Sequence, residues 1–496
     1  MVENQKKSQS KQAVAEPLKK IPDSNPKTIL SSDPDFAPRR SAFVLETCKW
    51  LWPVMNRIHS AELGEQFWIR VLTEYVSATF NQREFYQKSN FDYPIPFQPV
   101  GGWSPPGRKR IRREKTLTLL RAIRSRFRDR GNSKIEFART RIALGIRADR
   151  FSQELNATCI NINWIPCIIR KEKNARKRLI TEALKQEENE RRNILIGMPR
   201  LYCENFSRVL DVAESTTLNS ITDIFVEHYG SRFEKILATY LSEKGARIWQ
   251  LQTGGFVGET KNSLLPINRA QYDHLLTYGW TEGYKDVPYY GVRLEEFAEK
   301  FRLDKTVKKQ DILFVFGSPE NLPEIREYYE VCTKVLLMAL DRRKFPRILL
   351  RPRAHSRALN LSKTPACFKN FDKDEIDLGI CDIADLCSQS RIIAHWMLPS
   401  TNFLECIFVD QPVVAVDTNY NSSRIFEPYL KRLKLLNIIH ENPHAMIEFL
   451  NQVKIDEWWA EVRASEAYIE LKWYFARSKK QYLSQVTERA AKIPQA

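Results

Sequence analysis

From Phe43 onward the apolar side chains fall at helical spacing. Trp50, Trp52, Met55 and Ile58 form one series, and Phe67, Trp68, Val71, Leu72, Tyr75 and Val76 form a second. Recurrence every three or four residues places such side chains on one stripe of a helix, so helices are predicted to open the folded part of the chain. Upstream, residues 1–40 are polar, rich in Lys, Ser and Pro and without periodicity, which is the composition of a disordered tail. Leu117, Leu120, Ile123 and Phe127 form a further apolar stripe beneath a dense run of arginines. Acids and bases alternate over 170–193, as on an ordinary exposed helix, and that segment is assigned no function.

The second half changes pattern. Short apolar runs predict strands at 312–316, 348–350, 391–395 and 412–416, with helices near 323–340, near 383–388 and from Thr401 between them. Strands separated by helices argue for parallel βαβ units and a Rossmann-like domain. After Pro443 come further helices carrying Trp458, Trp459, Tyr468, Trp473 and Phe475, expected to pack back across the first domain.

A chain of 496 residues exceeds the usual ceiling for one hydrophobic core, so two domains with a cleft between them are expected. Its 43% hydrophobic content is enough to bury both. The net charge of +18 implies an anionic partner, which charge alone does not identify. Between Arg108 and Arg150 sixteen basic residues face four acids. That run is either a solvated helix face or a patch that docks on anionic lipid or polymer. The nine cysteines are scattered and form no CxxC pair, so they are expected to be reduced and mostly buried. The opening MVENQKKSQSKQ has no apolar core behind its lysines, and no stretch approaches the ~20 apolar residues of a spanning helix. A cytoplasmic protein, soluble or peripheral on the inner membrane face, is expected.

Three constellations carry chemistry. Gln252, Thr253, Gly254 and Gly255 open a segment with three glycines in five residues, which permits close backbone approach to a ligand or simply a tight turn. Arg351, Arg353, His355 and Arg357 follow directly on the strand ending at Leu350. Guanidinium forks beyond the carboxyl end of a strand suit a diphosphate, although a solvated basic loop has the same composition. In the third, a strand ends at His395, Pro399-Ser400-Thr401 opens a helix, and Glu405 lies one turn on from Thr401. Hydroxyls and free amides at a helix N-terminus hold phosphate and a carboxylate accepts from ribose hydroxyls, whereas Ser400 could also be only an N-cap. Asp372-Lys373-Asp374 has a metal-binding spacing but sits in an acidic, surface-like stretch, and no metal is assigned.

The Pro-Ser-Thr block, with Glu405 and Gln411-Pro412-Val413-Val414 after it, resembles the donor-nucleotide region of GT-B glycosyltransferases and of CDP-glycerol-type transferases. Met55–His59 with Phe67–Arg70, the 252–258 loop, and Leu275–Trp280 are similar to bacterial surface-polysaccharide, capsule and lipopolysaccharide transferases. The resemblance runs in order from about residue 45 to 475. It implies an α/β GT-B-like fold of two Rossmann-like domains facing a cleft, with helical N-terminal additions and C-terminal helices packing back across. The units would be a tail (1–40), an acceptor-side domain with helical insertions (41–300), a donor-nucleotide domain (301–455) and C-terminal helices (456–496). The activity implied is sugar transfer from a nucleotide-activated donor to a polysaccharide or lipid-linked acceptor, with no cofactor and no metal.

The same resemblance sets Ser400 and Thr401 on the donor phosphates, Glu405 on the ribose, Arg351, Arg353 and His355 beside the diphosphate, and Gln252–Gly255 across the cleft. The family pattern has histidine where this chain has Thr253, and a threonine cannot titrate near neutral pH to serve as general base. Glu259 and His59 are the substitute candidates, although a histidine in the helical apolar setting of His59 is more often a core histidine. Transfer of an alditol phosphate or a CMP-linked acidic sugar is a variant of this reading. A non-catalytic polyanion- or nucleic-acid-binding protein is the alternative, but no recognised nucleic-acid module appears and no specific nucleic-acid partner is expected.

Overall fold

A computed structural model describes residues 36–89, 140–144, 157–160, 173–199, 221–229, 231–259, 269–301, 309–316, 323–352, 366–379, 381–398, 400–418 and 422–491, with isolated positions between 148 and 210. Two long helices, α1 (Phe36–His59) and α2 (Glu65–Ser89), come first. Then follow β1 (Thr140–Leu144), β2 (Thr158–Ile160), α3 (Lys173–Leu184), α4 (Asn189–Ile196), β3 (Ile221–Val226), α5 (Arg232–Glu243), β4 (Arg247–Leu251), β5 (His274–Thr277), β6 (Asp286–Pro288) and α6 (Val292–Lys300). The second half runs β7 (Gln310–Val315), α7 (Pro323–Ala339), β8 (Ile348–Arg351), α8 (Ile383–Ser388), β9 (Ser390–His395), α9 (Thr401–Phe408) and β10 (Val413–Val416). It ends with α10 (Glu427–Leu435), β11 (Ile439–His440), α11 (Pro443–Gln452), α12 (Ile455–Ala464), α13 (Glu466–Phe475) and α14 (Lys479–Ala491).

The strands build two parallel sheets, ordered β2-β1-β3-β4-β5-β6 and β11-β10-β9-β7-β8. Counted within each half, the five-stranded second sheet follows the doubly wound order 2-1-3-4-5 and the first follows the same order with a sixth strand added, the strand order reversing in each between the first and third strands. That reversal opens a crevice outside the strands' carboxyl ends. It falls between β1 and β3 in the first sheet and between β7 and β9 in the second.

Each sheet is buried on both faces, which explains the near-continuous apolar runs. On one face of the first sheet Ile142, Leu144, Ile224, Val226 and Ile248 pack into a core shared with α1–α5. A smaller cluster of Ala143, Phe225, Leu251 and Leu276 lies on the other. The second sheet sends Ile312, Phe314, Ile392, Ala394 and Val414 toward α7 and α11, and Leu313, Val315, Ile393 and Ala415 toward α8–α10, α12 and α13. Val257, Leu275, Tyr278 and Trp280, from the carboxyl edge of the first sheet, belong to this same second-half core.

Three expectations need correction. The charged stretch 170–193 is two helices rather than one exposed helix, and it buries Ala175, Leu179, Ala183, Ile194 and Leu195 beneath its charges. The C-terminal helices pack mainly on the second sheet, where Trp459, Val462, Tyr468, Leu471 and Phe475 fill its core. Their end also reaches the first-half segments. Arg477 N–H donates to the Tyr278 carbonyl (3.2 Å) and its own carbonyl accepts from Gly291 N–H (3.0 Å), while Tyr482 packs edge-on against Tyr289. Of the predicted tail 1–40, residues 36–40 instead form the start of α1 and residues 1–35 lie outside the described residues, as does most of the basic run 108–150.

Candidate functional site

β4 runs out of the first sheet into Gln252, whose buried amide fixes everything after it. Its Nε2 donates to the carbonyls of Gly254 and Val257, both at 2.9 Å. Its Oε1 accepts from the Tyr278 N–H and the Trp280 indole N–H, again both at 2.9 Å. All four hydrogen-bonding positions of the side chain are thereby used, so Gln252 is the clamp that shapes the loop. A single broken turn follows at Phe256–Glu259, in which Gly258 has φ 93°. A Cβ on Gly258 would sit 2.4 Å from the Trp280 ring, so close approach and backbone conformation both require glycine there. Ser423, in the second half, donates its hydroxyl hydrogen to the Gly258 carbonyl.

The loop meets α9 directly. Gly255 N–H donates to Thr401 Oγ1 at 3.2 Å. Thr401 is the first residue of α9 and Glu405 the fifth, so the two share one face. Ser400 occupies the N-cap position with φ −141° and ψ 128°, but its hydroxyl makes no capping hydrogen bond. The N-cap reading of Ser400 therefore holds for its backbone and not for its side chain, which is half-buried beside the first free amides of the helix.

Arg293, at the second position of α6, joins the two halves. Its Nη1 donates to the Thr253 carbonyl at 2.9 Å, and its Nε donates to Glu405 Oε1 at 3.3 Å. The other oxygen of Glu405 accepts from Asn402 Nδ2 at 2.9 Å. Burial works to lower the Arg293 pKa, yet the facing Glu405 carboxylate, aided by Tyr278 and Glu227, leaves it raised, so the guanidinium is firmly charged. Glu227 is itself buried and directly follows β3, at the reversal point of the first sheet. Thr253, Gly255, Arg293, Thr401, Glu405 and Glu227 thus gather where the carboxyl edges of β3, β4 and β9 face one another.

Other residues singled out from sequence lie elsewhere. His59 ends α1 inside the first-sheet core, its Nε2 3.1 Å from the Tyr202 carbonyl and its ring against Phe206 and Trp68. This is the environment of a core histidine. Arg351 ends β8, is lowered in pKa by burial, and pairs with the Asp377 carboxylate. Arg353 and His355 fall outside the described residues, as does the side chain of Glu259. Asp372 and Glu375 cap one another across a short 3-10 turn, and among the described residues no group of three His, Cys, Asp or Glu could hold a metal ion. Among the described residues seven cysteines are free thiols, all buried except Cys381. No helix among the described residues is long and apolar enough to cross a membrane.

Sequence reasoning missed Arg293 and Glu227. Arg293 carries no local signal, because its partners are 40 and 112 residues away. Glu227 did leave one, a lone carboxylate closing the apolar run Ile224-Phe225-Val226. A model described as LIC12162 family transferase matches residues 104–489 of the chain. No curated protein matches it.

Proposed function

The chain belongs to the LIC12162 family of transferases, and from that premise we propose that it is a GT-B-type glycosyltransferase. It moves a sugar from a nucleotide-activated donor to a surface-polysaccharide or lipopolysaccharide precursor at the cytoplasmic face of a membrane. The observation that carries this reading is the junction of the two sheets. Two doubly wound units meet by their carboxyl edges, through Gly255 to Thr401 and through Arg293 to both Thr253 and Glu405, and such edges are where this architecture binds ligands.

In this reading the donor diphosphate lies at the start of α9, against the Ser400 and Thr401 hydroxyls and the first backbone amides. The arginine-rich sequence that follows β8 is a further source of guanidinium groups. Glu405, held by Arg293 and Asn402, keeps lone pairs for ribose hydroxyls. The acceptor hydroxyl oxygen bonds to the sugar carbon as the bond to the nucleotide phosphate breaks, and the leaving electron pair stays on the phosphate. Fixed positive dipoles and guanidinium groups stabilise that charge as it forms. The acceptor's proton passes to a carboxylate at the edge of the first sheet, where Glu227 and the backbone of Glu259 both stand. Thr253 cannot take it, and its carbonyl is occupied by Arg293.

The test is thermal unfolding of the purified chain with UDP, GDP, CDP and CMP in turn. One nucleotide is expected to stabilise the native chain, and Glu405→Ala is expected to lose most of that shift. Stabilisation by CDP or CMP alone would move the donor to an alditol phosphate or an acidic sugar. Equal affinity of native and E405A chains for every nucleotide, or salt-sensitive binding to generic nucleic acid only, would overturn the reading.

A further inference from the structure

A groove of about 220 Å³ lies between the end of α1 and the middle of α3, lined by Arg57, Ile58, Lys177, Arg178, Thr181 and Glu182. Three cations and one carboxylate face it. Glu182 is already engaged, by Arg57 at 3.0 Å and by Lys185 at 2.7 Å. Those partners, Lys185 first, hold its carboxyl below the usual range despite partial burial. Among the described residues no carboxylate pairs with Lys177.

The outward side of the same helix is apolar where a solvated helix would be polar. Ile180 is 44% exposed and Leu184 70%. Ile180 and Thr181 lie three and four residues after Lys177, and Leu184 lies four and three after them, so cation, hydroxyl and two aliphatic side chains form one continuous strip. The inner side of α3 is spent in the core through Ala175, Leu179 and Ala183, so the outer apolar residues are not needed to hold the helix. The end of α4 extends the strip. Arg176 Nη2 donates to the Met198 carbonyl at 2.8 Å and Nη1 to the Ile196 carbonyl at 3.3 Å, which ties the end of α4, where Ile196 is 52% exposed, to the turn of α3 that carries Arg176.

We propose that the α1–α3 groove and the Ile180–Leu184–Ile196 strip form a docking surface for an anionic phospholipid bilayer. A headgroup phosphate enters the groove against Lys177, Arg178 and Thr181, and the aliphatic strip sinks into the interface beside it. Charge complementarity commits the surface to lipid. A protein partner would need matching shape over a broad area, whereas a cationic cup beside a narrow aliphatic strip needs only phosphate above hydrocarbon. The surface is separate from the sheet junction, and the inference does not depend on the transfer chemistry. It also differs from the basic run 108–150, most of which lies outside the described residues.

Co-sedimentation of the full chain with phosphatidylcholine vesicles, with and without phosphatidylglycerol, tests it. Binding is expected only with the anionic lipid. Lys177→Gln should weaken it about fivefold, the worth of one cation near such a surface. The pair Ile180→Ser and Leu184→Ser should weaken it about tenfold or more, with the thermal midpoint unchanged because these side chains are exposed. Unchanged lipid affinity in both variants would overturn the proposal and assign any binding to another basic segment. Inorganic phosphate binding that K177Q abolishes, with no vesicle binding by the native chain, would overturn it in favour of a soluble-anion site. A native dimer that the serine pair dissolves, again without vesicle binding, would overturn it in favour of a contact between copies.

Discussion

At the scale of single residues, His395 stands out. It ends β9 fully buried, and among the described residues neither ring nitrogen has a hydrogen-bond partner. Burial pushes its pKa down to about 3, so the imidazole is neutral throughout the physiological range. The unfolded chain binds a proton at His395 below the ordinary ~6.5 and the native chain does not. Stability is therefore full above that value and falls as pH drops toward about 3. The loss is at most about 1.4 kcal/mol per pH unit. His440, lowered by burial to about 4, adds in the same direction. His395→Leu removes the linked proton and two orphan nitrogens. Urea unfolding followed by tryptophan fluorescence should show a shallower decline between pH 6 and pH 4 in H395L, and an unchanged slope would mean that acid sensitivity originates elsewhere.

At the scale of elements, the glycine loop is a device built by one glutamine. Four buried hydrogen bonds converge on Gln252, each contributing about 1 kcal/mol net, so Gln252→Ala is expected to destabilise by roughly 2–4 kcal/mol. Gly258→Ala meets both the Trp280 ring and an unfavourable φ, and should cost at least about 1–2 kcal/mol. Denaturant midpoints measure both. Legibility in sequence divides along the same line. Ile312–Phe316 and Arg391–His395 could be read as strands because each is a short apolar run buried on both faces. The 252–258 segment could be read as special from its glycines. The role of Gln252 could not, since its partners Tyr278 and Trp280 come from the turn after the next strand, β5. The break between α3 and α4 was hidden because the charged run 185–188 continues through it without a glycine or proline to mark the turn.

At the scale of the whole molecule, the two sheets are joined at their carboxyl edges by an arginine belonging to neither. α6 leaves the first sheet after β6, packs Leu294, Phe297 and Phe301 into the second-half core, and turns Arg293 back to grip Thr253 and Glu405 together. A cation that binds both sides of a crevice couples their positions, so it should affect ligand binding more than folding. Arg293→Ala leaves Glu405 buried without its cation. Because Arg293 is itself 37% exposed, that loss is discounted to roughly 1–2 kcal/mol of stability. Arg293→Lys keeps the charge but lacks the fork that reaches both partners. It is expected to unfold near the native midpoint while binding the stabilising nucleotide several-fold more weakly. Combining R293A with Glu405→Gln removes charge from both sides, so the double variant should lose less stability than the two single losses added. Additive losses would show the pair to be uncoupled and the arginine's role confined to the Thr253 carbonyl. Hydrogen exchange at residues 252–258 separates these outcomes: a coupling arginine, once removed, speeds exchange in the glycine loop and in the first turn of α9 alike, and a local one speeds it in the loop alone.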